Sequence, residues 1–406
     1  MTTGSESLVF DPYDYQVHED PYPLYARLRD EAPVYRNDDR DFFALSHHGD
    51  VLDAFRDSTR FSNSYGVTLD ELAWGPDAWR AMSFLAMDPP QHGRMRGLVS
   101  RGFTPRRVAE MEPRIRELAV EYLDQVIEAG SFDFVADFAG KLPMDVISEM
   151  VGVPVADRAE VRRLADLTVH REEGVIGIPE AGIVAAIELA AYYTEMVAER
   201  RKHPTDDLTS ALVEVEVDGD RLSDEEIIGF LTLMIVAGNE TTTKLLGHAW
   251  YWAWRNPDQR RIVQDDPGTI LGWIEETLRY DTSSQMLARL ATEDVALHGS
   301  VIPAGSRVLL LAGSANRDPQ AFEQPEEYRV LRFGRDGAES RGAIASFGVG
   351  RHFCMGAALA RLEAQIALEE LLARVQTWDV DQDGCRRVHS VNVRGFAALP
   401  TTVTSR

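Results

Sequence analysis

Apolar side chains recur every three to four positions through residues 106–215. This spacing predicts successive amphipathic helices at 107–129, 138–151, 155–170 and 179–201, and a shorter one from residue 207. Gly130, Pro143, Gly152, Pro154 and the turn His203-Pro204-Thr205-Asp206 punctuate them. A different pattern starts at Ser223, where Ser223 and Glu226 stand at capping-box spacing. After it, Ile227, Ile228, Phe230, Leu231, Leu233, Met234, Ile235 and Val236 cover nearly every face of a helix. Such a helix, running to Arg255, spans about 45 Å and, being apolar all round, lies inside the protein. Further helices are predicted at 270–280 and 354–375. Strand signals are short: a hairpin at 34–35 and 42–45 around Asn37-Asp38-Asp39, strands at 295–297 and 301–311, and terminal strands after residue 375. The expected fold is mainly α with a small β region.

Two stretches lack a period. Residues 62–85 interleave tyrosine, tryptophan and glycine, which predicts a long loop and a candidate substrate wall. Residues 171–179 join two predicted helices through Gly174 and Gly177. The middle of the long apolar helix also breaks its pattern, with Ala237-Gly238-Asn239-Glu240-Thr241-Thr242-Thr243 where apolar residues would pack best. A buried glutamate is costly unless hydrogen-bonded, and threonine hydroxyls can bond a carbonyl one turn back and bend the helix. The segment therefore reads either as a satisfied kink or as a proton relay beside a reactive centre.

Composition narrows the class. The chain has 406 residues, 44% of them hydrophobic and 27% charged, enough apolar side chain for a large core, and no linker divides it. Residues 1–406 are expected to form a single domain. A formal net charge of −24 opposes nucleic-acid or anionic-membrane binding. The first seven residues are polar and no apolar run approaches the length of a bilayer span, so a cytoplasmic protein is expected. The only two cysteines, Cys354 and Cys385, do not make a disulfide framework. Arg332, Arg335, Arg341, Arg351 and Arg361 gather near Cys354 in sequence, a cationic cluster in an acidic chain.

Cys354 stands in Phe347-Gly348-Val349-Gly350-Arg351-His352-Phe353-Cys354-Met355-Gly356. A lone cysteine before a helix is ordinarily a small buried hydrophobe. Here a helix starting at Cys354 would aim its N–H groups at the sulfur and lower the thiol pKa, favouring a metal-ligating thiolate. Glycines at 348, 350 and 356 would let a flat ligand approach closely. Upstream, Asp88-Pro89-Pro90-Gln91-His92-Gly93-Arg94-Met95-Arg96 opens a helix on which His92 and Arg96 share a face. Cations there oppose the helix dipole, so an anion from elsewhere explains them better. Glu276 and Arg279, at a spacing of three, complete the set.

These segments, Phe-Gly-x-Gly-x-x-x-Cys-x-Gly, Asp-Pro-Pro-x-His-x-x-x-Arg, Ala-Gly-x-Glu-Thr-Thr and Glu-x-x-Arg, in this order, resemble the cytochrome P-450 family, the haem-thiolate monooxygenases, from Asp20 to Phe396. The resemblance implies a triangular helical prism with the haem core at roughly 88–130 and 221–375 and substrate-capping elements at roughly 62–85 and 155–203. It implies haem b (iron protoporphyrin IX) with Cys354 as axial metal ligand, and His92, Arg96, Arg289 and His352 neutralising the propionates. Phe347, Gly348, Gly356 and Ala237 would lie against the cofactor. Thr241 would donate a hydrogen bond to dioxygen and Glu240 would feed protons; many relatives carry aspartate where Glu240 stands. Glu276 and Arg279 would lock to Arg332. The strand from Ser284 to Leu287 would pass the substrate, and Val391-Asn392-Val393 would return to the pocket.

The implied reaction inserts one oxygen atom from O2 into an apolar small molecule. No flavin or nicotinamide unit is visible, so electrons would come from a ferredoxin with its reductase, docking where the arginines cluster, on a monomer. Two other classes fit parts of the pattern. A non-catalytic haem-thiolate binder or sensor would share Cys354 but needs no Glu240 or Thr241. A zinc site at His352 and Cys354 lacks a second ligand pair.

Overall fold

In the computed structural model of the chain, residues 8–406 are described, apart from 173, 174, 176, 218 and 341. Its longest helix is Asp224–Arg255, 32 residues, and it starts as the capping box requires. Ser223 Oγ accepts from Glu226 N at 3.2 Å, and the Glu226 carboxylate accepts from Ser223 N at 2.9 Å.

The two ends of this helix belong to different cores. Ile227, Phe230, Leu231 and Ile235 pack with the helices Leu142–Val151, Arg158–Val169 and Glu180–Lys202. Leu245, Leu246, Ala249 and Trp250 pack with Glu112–Val126, Ile270–Tyr280 and Ala357–Arg374. Trp250 is stacked between Phe134 and Trp378, with ring centroids 5.0 and 4.0 Å away. The polar interruption at 237–244 falls between the two cores, so its side chains do not displace apolar packing from either.

The β structure is small and peripheral. The predicted hairpin is present as Val34–Asn37 and Phe42–Leu45, with Val34 opposite Leu45. It continues through Arg307–Leu310 and Leu287–Ala291 to Phe61–Ser62, forming a five-stranded sheet in which only the Phe42–Leu45 and Arg307–Leu310 pair is parallel. Val375–Val380, Pro400–Ser405 and Ser131–Asp133 form a second sheet. A bridge between Ser284 and Val393, with Gln285 N donating to Asn392 O at 2.8 Å, brings the C-terminal segment back beside the strand at 284–287.

The structure corrects several boundaries. The helix expected at 107–129 is two, Pro105–Glu110 and Glu112–Val126, because Pro113 has no N–H for the preceding turn. The last long helix begins at Ala357, three residues after Cys354. The expected loop at 62–85 contains helical turns at Glu71–Ala73, Trp79–Met82 and Ser83–Ala86. Among the described residues one helix, Glu180–Lys202, is long and apolar enough to cross a membrane by length and composition, with a mean hydropathy of 1.3 over its most apolar window. Glu188 and Glu195 interrupt its apolar residues, so no unbroken apolar run of bilayer length occurs in it.

The Glu276 carboxylate holds the irregular segment after residue 319 to the helical body. It accepts from Arg279 at 2.8 Å, from Arg332 Nε at 3.0 Å and from Arg329 N at 2.8 Å, while Arg279 donates onward to the carbonyls of Asn316, Pro325 and Glu327. Glu276 and Arg279 are fully buried. Removing one partner leaves buried charge uncompensated, so Glu276→Ala is expected to destabilise the fold by about 3–5 kcal/mol in urea unfolding. Glu110→Ala, at the exposed Arg106–Glu110 pair, is expected to leave the unfolding midpoint unchanged.

Candidate functional site

The loop before the last long helix is shaped by two glycines and one backbone bond. Cys354 N donates to Phe347 O at 2.9 Å, closing the loop on itself. Gly348 and Gly350 have φ of +64° and +78°, a region that suits glycine. A side chain at Gly350 would also lie 3.2 Å from the Arg56 backbone. Cys354 is accessible although protein surrounds it, as at the floor of a crevice. Met355 beside it packs on the apolar cluster that contains Phe230 and Ile235, so the loop lies against the same core as the central helix.

The Cys354 thiol differs from expectation. Burial pushes its pKa up, and the N–H groups of Gly356 and Ala357 with the charges of Arg96 and Arg361 only pull part of that back. The helix start lies too far along the chain to outweigh desolvation. A thiolate here needs a further positive charge on sulfur, which a metal ion supplies.

Above the loop four cationic or ionisable side chains meet. His92 and His352 rings lie 4.0 Å apart, and Arg96 donates to Phe353 O at 2.7 Å. Arg289 comes from the five-stranded sheet, is 1% exposed, and donates to Ala288 O at 2.7 Å. The atoms His92 Nε2, Arg96 Nη1 and both ring nitrogens of His352 are buried without a partner. Among the described residues none of the four forms an ion pair with an acid. The acid whose charge reaches this corner, Asp88, accepts instead from Ser62 Oγ and from Asn63 N at 3.0 Å. Burial, then Arg96, holds the His92 pKa at about 4. Burial, then His92, Arg289 and Arg96, holds His352 at about 3, and burial brings Arg289 down to about 10. Two arginines and two imidazoles, with several buried nitrogen atoms unpartnered and no acid paired with them, fit an anionic group.

Across from the loop, the central helix presents a gap in its own burial. Ala237 is exposed in the middle of a buried helix, Gly238 and Thr241 are half-buried, and Thr241 Oγ1 donates to Ala237 O at 2.8 Å, the bond one turn back that its position predicts. Glu240 turns the other way. It is buried, and its carboxylate is 3.1 Å from Lys244 Nζ and hydrogen-bonded to Asp166. Lys244 and Asp166 were not apparent as site residues. Lys244 had a signal, an i,i+4 charge pair inside an apolar helix; Asp166 sits on an ordinary amphipathic helix and had none.

The 62–85 and 171–179 segments are joined by a buried ion pair. Asp70, in the 62–85 stretch, pairs with Arg171 at 2.5 Å, both buried. Thr68 and Tyr13 hydroxyls donate to Asp70 at 2.9 and 3.2 Å, and Tyr15 donates to Arg171 O at 3.1 Å. Glu173, Gly174 and Ile176 of the predicted capping segment lie outside the described residues.

The arginine cluster is also corrected. Arg332 is bound to Glu276, Arg335 to Asp266, and Arg361 to Glu275 at 2.5 Å with its guanidinium 4.6 Å from the Phe347 ring. Arg341 lies outside the described residues. Arg351 alone of the described four is exposed without an ion pair. Sequence proximity grouped these residues; acids from distant helices neutralise three of them.

A helical fold whose glycine-set cysteine faces a buried, anion-seeking cluster defines a haem-thiolate protein. Comparison with known proteins agrees: the Cytochrome P450 family model matches residues 185–387. A Mycobacterium tuberculosis protein carrying the name cytochrome P450 123 is 57% identical over all of both chains. The vitamin D(3) 25-hydroxylase of Pseudonocardia autotrophica is 36% identical, covering 100% of this chain and 98% of its own. A cytochrome P450 from Bacillus megaterium, solved in complex with testosterone, is 30% identical with a TM-score of 0.87 over 96% of this chain and 99% of that one. The chain belongs to the cytochrome P450 family and is a haem b monooxygenase; a sensor role is not favoured.

The His92 shift has a measurable sign. Between its unfolded value of 6.5 and its folded value of about 4, the unfolded chain binds more protons, so stability is present above pH 6.5 and falls as the pH drops toward 4. The expected loss in haem-free protein is on the order of 1–3 kcal/mol, read by urea unfolding across this range. His92→Phe is expected to make it shallower, with His352, held at about 3, supplying part of the remaining slope.

Proposed function

We propose that this P450 oxygenates an apolar small molecule of secosteroid or steroid size, with electrons delivered by a ferredoxin. The observation that carries the site assignment is the set of buried, unpartnered donors on His92, Arg96 and His352 beside Cys354. On this reading Cys354 would ligate the haem iron, and His92, Arg96, Arg289 and His352 would hold the propionates. Phe347, Gly348, Gly356 and Ala237 would lie against the haem. When bound, the haem supplies dioxygen activation, which thiolate ligation favours. Thr241 orients a hydroxyl into the crevice, and Glu240 passes protons to it from the far side of the helix.

The substrate class is supported by the relatives, one a vitamin D(3) hydroxylase and one holding testosterone. The residues at 62–85 and 171–179 cover the access route. A ferredoxin meets the loop face, where Arg351 offers the free charge. We place the protein in the cytoplasm as a monomer and read residues 1–406 as one domain.

The reduced carbon monoxide spectrum tests the ligand: a thiolate-type Soret band is expected in the parent protein and its loss in Cys354→His, and a parent protein without that band overturns the assignment. Spin-state titration then tests the substrate class: a shift with testosterone and none with a long-chain fatty acid is expected, and the reverse overturns the steroid assignment. Arg351→Glu is expected to slow reduction by ferredoxin in a salt-dependent manner with haem content unchanged. Arg361→Glu, by contrast, is expected to lower haem content and stability through the loss of its Glu275 pair.

A further inference from the structure

Glu240 faces the helix Arg158–Val169, and Asp166 on that helix meets it. Two ionised carboxylates in contact repel each other, whereas one proton between them makes a hydrogen bond. The pair has cations on both helices, Lys244 at 3.1 Å from Glu240 and Arg162 at 3.9 Å from Asp166. Asn239 Nδ2 lies 3.4 Å from Asp166 Oδ1, while Asn239 Oδ1 is buried with no partner. Beside them opens a cavity of about 330 Å³ lined also by His170 and His389, large enough for several waters. Glu240 is shut away at 9% side-chain exposure, but Asp166 is 45% exposed and borders the cavity.

We propose that Asp166 and Glu240 hold one proton in common and that the cavity beside Asp166 is the port through which it is replaced, so that Asp166 is the outer proton donor of the monooxygenase reaction. This rests on the reading of Glu240 and Thr241 as the proton path. In the step, the shared proton passes from Asp166 to the Glu240 carboxylate, Glu240 releases it toward Thr241, and Asp166 takes a replacement from solvent through the water in the cavity. One proton enters for each that leaves, and no other bond changes.

The surrounding charges suit a transferable proton. Burial and the Glu240 charge push the Asp166 pKa up to about 7, while Arg162 and Lys244 pull against them. A carboxyl balanced near the working pH both accepts and gives up its proton readily. The remaining ionisable groups at the cavity, Arg163, His170 and His389, stand along its rim; Arg163 is engaged by Glu160 at 2.6 Å.

Infrared titration of the full chain, with and without haem, reads the shared proton directly. A protonated-carboxyl band is expected below about pH 7 that fades above it and is missing in both Asp166→Asn and Glu240→Gln. Glu363, buried with its carboxyl pushed up to about 8 by burial alone, gives a second band, identified by Glu363→Gln. Oxygen consumption by the haem-loaded protein, driven by a plant-type ferredoxin and its reductase, is the second readout. Asp166→Asn is expected to slow it on the order of ten-fold and to remove the inflection near pH 7, with Asp166→Glu restoring both.

A band and a pH profile that survive Asp166→Asn overturn the proposal. If Glu240→Gln alone then alters turnover, the Glu240 path stands and only the Asp166 port is lost; if neither does, both fall. Should Asp166→Asn not bind haem, Val388→Phe, which narrows the cavity without touching the carboxyls, decides: a larger solvent deuterium effect on oxygen consumption supports the port, and an unchanged one overturns it.

Discussion

Buried positive charge requires a counterion, and the architecture around Cys354 is arranged on that condition. Arg289 at 1% exposure, with Arg96 and two imidazoles held neutral by their surroundings, makes a corner that the polypeptide does not satisfy by itself. Three distant segments contribute to it: the helix after Pro90, a strand of the five-stranded sheet and the cysteine loop. Each brings donors and none brings an acid to receive them. On the proposed reading, a cofactor carrying two carboxylates would act as a structural member that joins these pieces. The same logic explains the upward shift at Cys354, since the sulfur too waits for a charge from outside the chain.

The central helix shows how a reactive centre is placed inside a stable core. Its first third serves one apolar cluster and its last third another, and the polar residues occupy the seam. Because consecutive residues on a helix point about 100° apart, Glu240 and Thr241 face opposite compartments, one toward Asp166 and the cavity, the other toward the crevice. On the proposed reading, this helix would separate water-bearing from substrate-bearing space while linking them through adjacent side chains.

What could be read in the sequence was what local spacing fixes. The capping box at Ser223, the hairpin at Asn37-Asp38-Asp39, the Glu276 and Arg279 pair and the ten-residue loop around Cys354 each depend on neighbours in the chain, and each is where the pattern put it. Arg332 was legible through resemblance. Partner choice over long distances was not legible: Arg361 is neutralised by Glu275 and Arg335 by Asp266, from helices far away in sequence, and Asp166 acquires its role only by facing Glu240. Helix boundaries failed where one residue overrides a good period, as Pro113 does, or where loop closure delays the first helical turn to Ala357.

The Asp70 and Arg171 pair carries a consequence for selectivity. Parting a buried ion pair is a discrete event whose cost does not depend on the molecule outside. On the proposed reading, in which these segments cover the access route, the fraction of time they stand apart would multiply the affinity of every candidate substrate by the same factor. Ranking among substrates is then decided by the crevice alone, while the clasp sets one common ceiling on how tightly any of them binds. Tightening or loosening it would retune the enzyme's sensitivity to concentration and leave its preferences unchanged.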